Sequence, residues 1–372
     1  MCGDPRQIAT MRTVNTIRRR AAPLLAVALA LLAAASARGE SDWMLTLRLG
    51  GEEVEGRPLA WDASTVYLLG RDGRLWRFAP GEATDFRKTS SRFQSYSVSE
   101  LRAMLLRELG QAYEVSGTSH YLVAHPRGQR ERWGERFEEL YRSLVRYFAV
   151  RGFRIEEPAF PLVAVVCPSR AEFIRRCQVR QTVRGASIDG MYLLESNRIV
   201  LYDAGSGAER LNEAVLIHEA THQTLFNTGI QNRFVPAPLW TAEGLALLFE
   251  APGVHDNSRH PERSQRINRE RLADFRSAVL ARHRPETLAE LIASDDHFRR
   301  DPIAAYAEAW ALVFYLVETQ PRQFAEYLAK CAARRPFTAY PADERTADFA
   351  AVFGVDWRML EARMLRFVAQ LE

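Results

Sequence analysis

The sequence predicts an α+β chain, with a small all-β unit ahead of a mixed sheet and a helical C-terminal half. Three observations carry that prediction. Residues 42–92 hold short runs of β-branched and aromatic residues broken by turn signals. The next stretch alternates short apolar runs with amphipathic helical patterns, as in a sheet with helices packed on it. After residue 260 the periodicity is helical almost without interruption to Glu372. A length of 372 residues allows one large domain or two to three ordinary ones, and 47% hydrophobic against 26% charged residues is ordinary for a chain with a sizeable core.

Residues 1–37 read as an export signal. Arg18-Arg19-Arg20 is a basic leader, Ala21 to Ala35 an apolar run short for a spanning helix, and Ala35-Ser36-Ala37 an A-x-A cleavage site with polar residues directly after it. An uncleaved anchor is the alternative. Cleavage implies a periplasmic or extracellular protein with no membrane span left. The formal charge of +4 also comes from this segment, where five arginines face one aspartate. Without it acids and bases balance, so charge gives no reason to expect nucleic acid as a partner. Export permits disulfides, yet Cys167, Cys177 and Cys331 are odd in number. Cys167 ends a predicted strand and Cys177 the helix after it, about 15 Å of helix away. Buried free thiols are the expectation.

In the all-β unit, Met44 to Leu49, Leu59 to Trp61, Val66 to Leu69 and Leu75 to Phe78 are the strand runs, and Asp72-Gly73 marks a hairpin between the last two. Four or five short strands in about fifty residues resemble an SH3-like barrel. The remainder, residues 97–372, reads as one domain. Ser97-Val98-Ser99-Glu100 is a capping box that opens a helix ending at Gly110. Tyr121 to Ala124 is a strand. Trp133, Phe137, Leu140, Tyr141, Leu144 and Phe148 form the core stripe of a long helix, and Leu162 to Val166 is a buried strand. Met191 to Leu194 and Ile199 to Tyr202 bracket Glu195-Ser196-Asn197 as a hairpin, and its second strand is expected at the sheet edge, where a peptide could add.

A helix over about residues 208–227 follows, stopped by Gly229, and it carries His218-Glu219-Ala220-Thr221-His222. This is H-E-x-x-H. Histidines four apart share one helix face and can hold one metal ion, with Glu219 beside them to take a proton from water. A third ligand is needed. Metzincins would place it six residues past the second histidine, after a glycine; Thr228 and Leu225 occupy those positions. Glu243 is the leading candidate, in Leu239-Trp240-Thr241-Ala242-Glu243-Gly244-Leu245-Ala246 on a second helix, with His255 and His260 as alternatives. Gly244 inside that helix calls for a packing reason, such as close approach of another helix. His120, His125 and His283 have no partner spacing and read as structural or exposed. No G-x-S-x-G elbow, P-loop or dinucleotide fingerprint is present; Gly205-Ser206-Gly207 is a turn before the helix.

H-E-x-x-H followed after some twenty residues by Trp240-x-x-Glu243-Gly244 resembles the gluzincins, the thermolysin-like zinc peptidases, and within them an exported bacterial family with W-x-x-E-G on the second helix. The resemblance covers about residues 112–320 and is specific over 208–250. It implies a zincin-like domain, one Zn2+ held by His218, His222 and Glu243, Glu219 as general base, and a peptide or protein substrate. Tyr306 and His297 are the candidates for an oxyanion donor. One position departs from the pattern. Leu247 stands where thermolysin-type enzymes carry an Asp that orients a ligand histidine, which leaves Glu213, Asn212 and Glu250 as replacements. The expected function is an exported zinc metallopeptidase in which Glu219 assists attack of zinc-bound water on a peptide bond. The alternatives are a non-catalytic zinc-site scaffold that binds a cell-envelope component, and hydrolysis of a non-peptide amide in the cell wall.

Overall fold

The computed structural model describes residues 42–178, 189–203, 209–256, 262–282 and 287–372. The export segment over 1–37, the turn at Gly205-Ser206-Gly207, His260 and His283 lie outside these residues. The architecture is α+β, with two five-stranded sheets followed by helices.

Residues 42–92 form one antiparallel sheet of β1 (Met44–Leu49), β2 (Glu52–Trp61), β3 (Val66–Gly70), β4 (Leu75–Phe78) and β5 (Ala83–Ser90), in the order β4-β3-β2-β1-β5. A 3-10 turn over Pro80–Glu82 returns the chain from β4 to β5. Leu45, Leu47, Val54, Val66, Leu68 and Phe78 make its core. The strand β2 is longer than its apolar end suggests, because Glu52-Glu53-Val54-Glu55 also pairs with β1. The Asp72-Gly73 hairpin is present, with Gly73 at φ +84°.

The helix α1 (Val98–Leu109) opens with the expected capping box: Ser97 Oγ accepts the Glu100 N–H at 3.3 Å, and the Glu100 carboxylate accepts the Ser97 N–H at 2.8 Å. Next come β6 (Tyr113–Gly117), β7 (Tyr121–Pro126), α2 (Arg130–Ala149), β8 (Leu162–Cys167), α3 (Arg170–Cys177), β9 (Gly190–Leu193) and β10 (Arg198–Tyr202). They build a mixed sheet in the order β6-β7-β8-β10-β9, parallel at β7–β8 and β8–β10 and antiparallel at both ends. The aromatic stripe of α2 is core, as expected. The expected edge position of Ile199 to Tyr202 is corrected here: β10 is interior, paired with β8 on one side (Ile199 opposite Ala164) and with β9 on the other (Ile199 opposite Tyr192). Among the described residues β9 stands at this edge of the sheet and β6 at the other.

The H-E-x-x-H helix is α4 (Glu209–Asn227), packed between the sheet and α5 (Leu239–Phe249). The helical half continues through α6 (Pro252–His255), α7 (Arg269–Asp274), α8 (Thr287–Ala293), α9 (Asp296–Arg300), α10 (Pro302–Thr319), α11 (Pro321–Ala332), α12 (Ala342–Phe353) and α13 (Trp357–Ala369). Both α5 and α10 are buried on nearly every face and pack against each other at its centre. Gly244 is the reason they approach so closely. A Cβ there would stand 2.5 Å from the Ala309 carbonyl oxygen and 2.6 Å from Val313 Cγ2. Among the described residues no helix is long and apolar enough to cross a membrane. Cys167, Cys177 and Cys331 are free thiols, the first and last buried.

Candidate metal centre

Two successive helices supply the centre. His218 and His222 project from one face of α4, and Glu243 comes from the second turn of α5. All three are buried, and one donor atom from each lies within 4.8 Å of the others. The two Nε2 atoms are 3.2 Å apart. His218 Nε2 is 3.5 Å from Glu243 Oε2, and His222 Nε2 is 3.7 Å from Glu243 Oε1. Donors on one tetrahedral zinc, each about 2.0–2.1 Å from the ion, sit roughly 3.3 Å from one another. The spacing and the N, N, O donor set therefore fit zinc. Burial pushes the His222 imidazolium below its ordinary pKa, against the pull of Glu243, so the ring is held neutral with a lone pair to give.

The partner that orients His218 is Glu250, just past the end of α5. His218 Nδ1 lies 2.9 Å from Glu250 Oε1. An Nδ1–H donated to that carboxylate leaves Nε2 as the free base facing the other ligands. Asn268 Nδ2 donates at 2.9 Å to Glu250 Oε2 and at 2.9 Å to the Leu247 carbonyl, which fixes the carboxylate in turn. Burial pushes the Glu250 pKa up, but the bonds from His218 and Asn268 outweigh it and hold the carboxyl below its ordinary range. Glu250 thus contacts His218 from a position three residues past Leu247. Of the other two candidates, Glu213 pairs with Arg136 and the Asn212 side chain lies outside the described residues.

Glu219, next to His218 on α4, is anchored to the sheet through one carboxylate oxygen. Its Oε2 accepts the backbone N–H of Tyr192, on edge strand β9, at 2.6 Å. Gly190 makes this possible, since a Cβ on it would strike Val215 Cγ1 at 2.4 Å and stand 3.6 Å from Glu219 Cγ. The sequence reading missed both residues. The signal was a glycine at the start of a strand, which marks close backbone approach.

Among the described residues, the group that could hold a metal ion comprises His218, His222 and Glu243, without His297 or His255. His297 Nε2 is 3.0 Å from the buried carboxylate of Glu308 on α10. The Tyr306 ring packs edge-on against Phe298, with centroids 5.2 Å apart. His255 is held through Nδ1 by the Phe249 carbonyl at 2.8 Å. His120 contacts Glu138, and His125 lies between Ser116 and the Pro126 carbonyl; both are structural, as expected.

Residues 212–338 match a family profile described as a protein of unknown function, DUF1570. A search of curated proteins gives no match. Among solved structures the chain is similar to a point mutant of an M1 zinc metallopeptidase from Deinococcus radiodurans, with TM-score 0.38 and 14% identity over 70% of this chain and 51% of that one. The same mutant bound to a Tyr-Ser-Ala substrate gives TM-score 0.37 and 16% identity, again over 70% of this chain and 51% of that one. The chain spans about half the length of those two structures, and both likenesses are distant.

Proposed function

We propose that this chain is an exported zinc-dependent metallopeptidase that acts on peptide or protein substrates in the periplasm or outside the cell, cell-envelope proteins among them. The observation that carries the reading is the buried His218–His222–Glu243 group with Glu219 on the same helix. One zinc ion held by those three ligands would supply a positive charge that acidifies water and polarises a peptide carbonyl. The chain's own groups do the rest. Glu250 and Asn268 hold His218 in the tautomer that presents Nε2. The Tyr192 N–H fixes one oxygen of Glu219, and the other exchanges the proton, taking it from the attacking water and passing it to the leaving amine. Tyr306 or His297 supplies the donor that meets the negative charge on the carbonyl oxygen. The order of strands in residues 42–92 and the 3-10 turn before β5 support reading that unit as SH3-like.

Glu219→Gln tests the reading. The variant is expected to keep stoichiometric zinc by metal analysis and to lose about 10²–10⁴-fold in hydrolysis of a peptide library. Full hydrolysis with the metal in place would rule Glu219 out as the base. A second reading, a non-catalytic zinc scaffold for a cell-envelope partner, is favoured by burial, since His218, Glu219, His222 and Glu243 are each at most 5% exposed. Zinc-loaded wild type that cuts nothing in the same library would select it.

A further inference from the structure

The helix α4 lies between two banks. On one side is the edge strand β9, bonded to Glu219; on the other is α5, which carries Glu243. A peptide that reaches both Glu219 and the ligand group must lie between them. The β unit of residues 42–92 touches the turn after β9 and, through Phe337, reaches the connection that leads into α5. Leu75 N–H, at the start of β4, donates at 2.7 Å to the carbonyl of Glu195, in the turn that follows β9. Tyr67, on the neighbouring strand β3, stacks on Phe337, with centroids 3.6 Å apart and planes within 6°. Phe337 belongs to the helical half, between α11 and α12, and its N–H donates at 2.8 Å to the carbonyl of Phe234 in the connection from α4 to α5. Phe337 also sits at φ +60°, a left-handed conformation that a bulky side chain adopts only where its contacts hold it.

We infer that the β unit is the end wall of the substrate cleft, joining its two banks, so that on this side of the scissile bond only a short piece of peptide fits. The available length follows from the strand. Tyr192, whose amide holds Glu219, is followed three residues later by Glu195, where the wall begins; because the chain turns after Leu193, the run is at most about 10 Å, room for no more than about three extended residues. Backbone groups beyond Tyr192 are already engaged. The Leu194 carbonyl accepts from Arg233 Nη1 at 3.4 Å and the Glu195 carbonyl from Leu75. A substrate strand added along β9 therefore runs out of partners at the wall. The inference deepens the metallopeptidase reading and rests on it: the substrate class becomes peptides whose scissile bond lies close to one free end.

The test uses the full zinc-loaded chain and synthetic peptides lengthened one residue at a time from either end, with products mapped by mass spectrometry. Every cleavage is expected to leave one fragment of about three residues or fewer, always from the same end. Tyr67→Ala combined with Phe337→Gly, which removes the stack and relieves the φ of 337, shifts cleavage inward; Tyr67→Phe, which keeps the stack, does not. Wild-type cleavage with long fragments on both sides overturns the wall. Binding of the same peptides to the Glu219→Gln chain is read by fluorescence anisotropy, which needs no turnover. Affinity that stops rising with length at one end supports the wall, and affinity that rises equally at both ends overturns it. Peptides bound with that plateau but never cut by wild type overturn the peptidase reading and leave the wall standing. Peptides neither bound nor cut overturn both.

Discussion

His218 and His222 were legible in the sequence because a separation of four residues is local geometry, fixed once the helix forms. Glu243 required the second helix to fold back, and only the W-x-x-E-G pattern pointed to it. Glu250 was one of three unranked choices, since its bond to His218 depends on where the last turn of α5 ends. These residues carry different predictions. His222→Ala and Glu243→Ala should each lose zinc outright by metal analysis, whereas Glu250→Gln should retain it with an affinity about 10–100-fold lower in a chelator titration. Zinc bound equally well by Glu250→Gln would show that the 2.9 Å contact does no orienting. A pH dependence follows from His222, whose pKa burial lowers below the ordinary histidine value. As pH falls through about 6.5, the unfolded chain takes up a proton there that the native state refuses, so the stability of the metal-free protein falls with acidification and rises with pH across that window. A denaturation midpoint that stays flat between about pH 7.5 and about pH 5.5 in the metal-free protein would contradict this.

Elements with strong local signals are legible in the sequence, as are the apolar strands, whereas polar strands and the position of a strand within its sheet depend on pairing. The capping box at Ser97, the stripe of α2 and the Asp72-Gly73 hairpin each depend on neighbours in sequence. By contrast, β6 is the polar run Tyr-Glu-Val-Ser-Gly, a strand only because β7 pairs with it, and the same holds for β5 against β1. The interior position of β10 was hidden for a related reason. An apolar run such as Ile199-Val200-Leu201 is compatible with an edge or a centre until β8 supplies the second partner. Gly244 shows an inference at this scale that did hold: a glycine in a helix implied close approach, and α10 provides it. Gly244→Ala places a methyl against a backbone carbonyl that cannot rotate away, so α5 and α10 must separate. The expected cost is about 1–3 kcal/mol, read as a lower denaturant midpoint at unchanged slope. Because Glu243 is the adjacent residue, the same variant should weaken zinc binding even where it remains folded.

Across the whole molecule, the question is whether residues 42–92 are a passenger or part of the machine. Strand runs and turn signals say that such a unit exists but not where it docks. Its own core of Leu45, Leu47, Val54, Val66, Leu68 and Phe78 is small, and a unit of about fifty residues is marginal by itself. Docking makes up the difference. Gly73 packs where a Cβ would come within 3.2 Å of Phe160 Cγ and 3.1 Å of Asn197 Nδ2, tying the β3–β4 turn to the end of the second sheet. Arg71 lies 4.4 Å over the Tyr96 ring, and its carbonyl accepts the Tyr96 N–H at 2.8 Å, tying the same turn to the approach to α1. The Tyr67–Phe337 stack then reaches the helical half. With these attachments and the Leu75–Glu195 hydrogen bond spread over both parts of the larger domain, the unit should melt together with it, in a single calorimetric transition whose van't Hoff and calorimetric enthalpies agree. Tyr67→Ala with Phe337→Gly removes only the attachment to the helical half, so an earlier, smaller transition should separate from the main one in that variant. Two resolved transitions in the wild type would mean that the unit folds independently, and a wall held so loosely could not limit what enters the cleft.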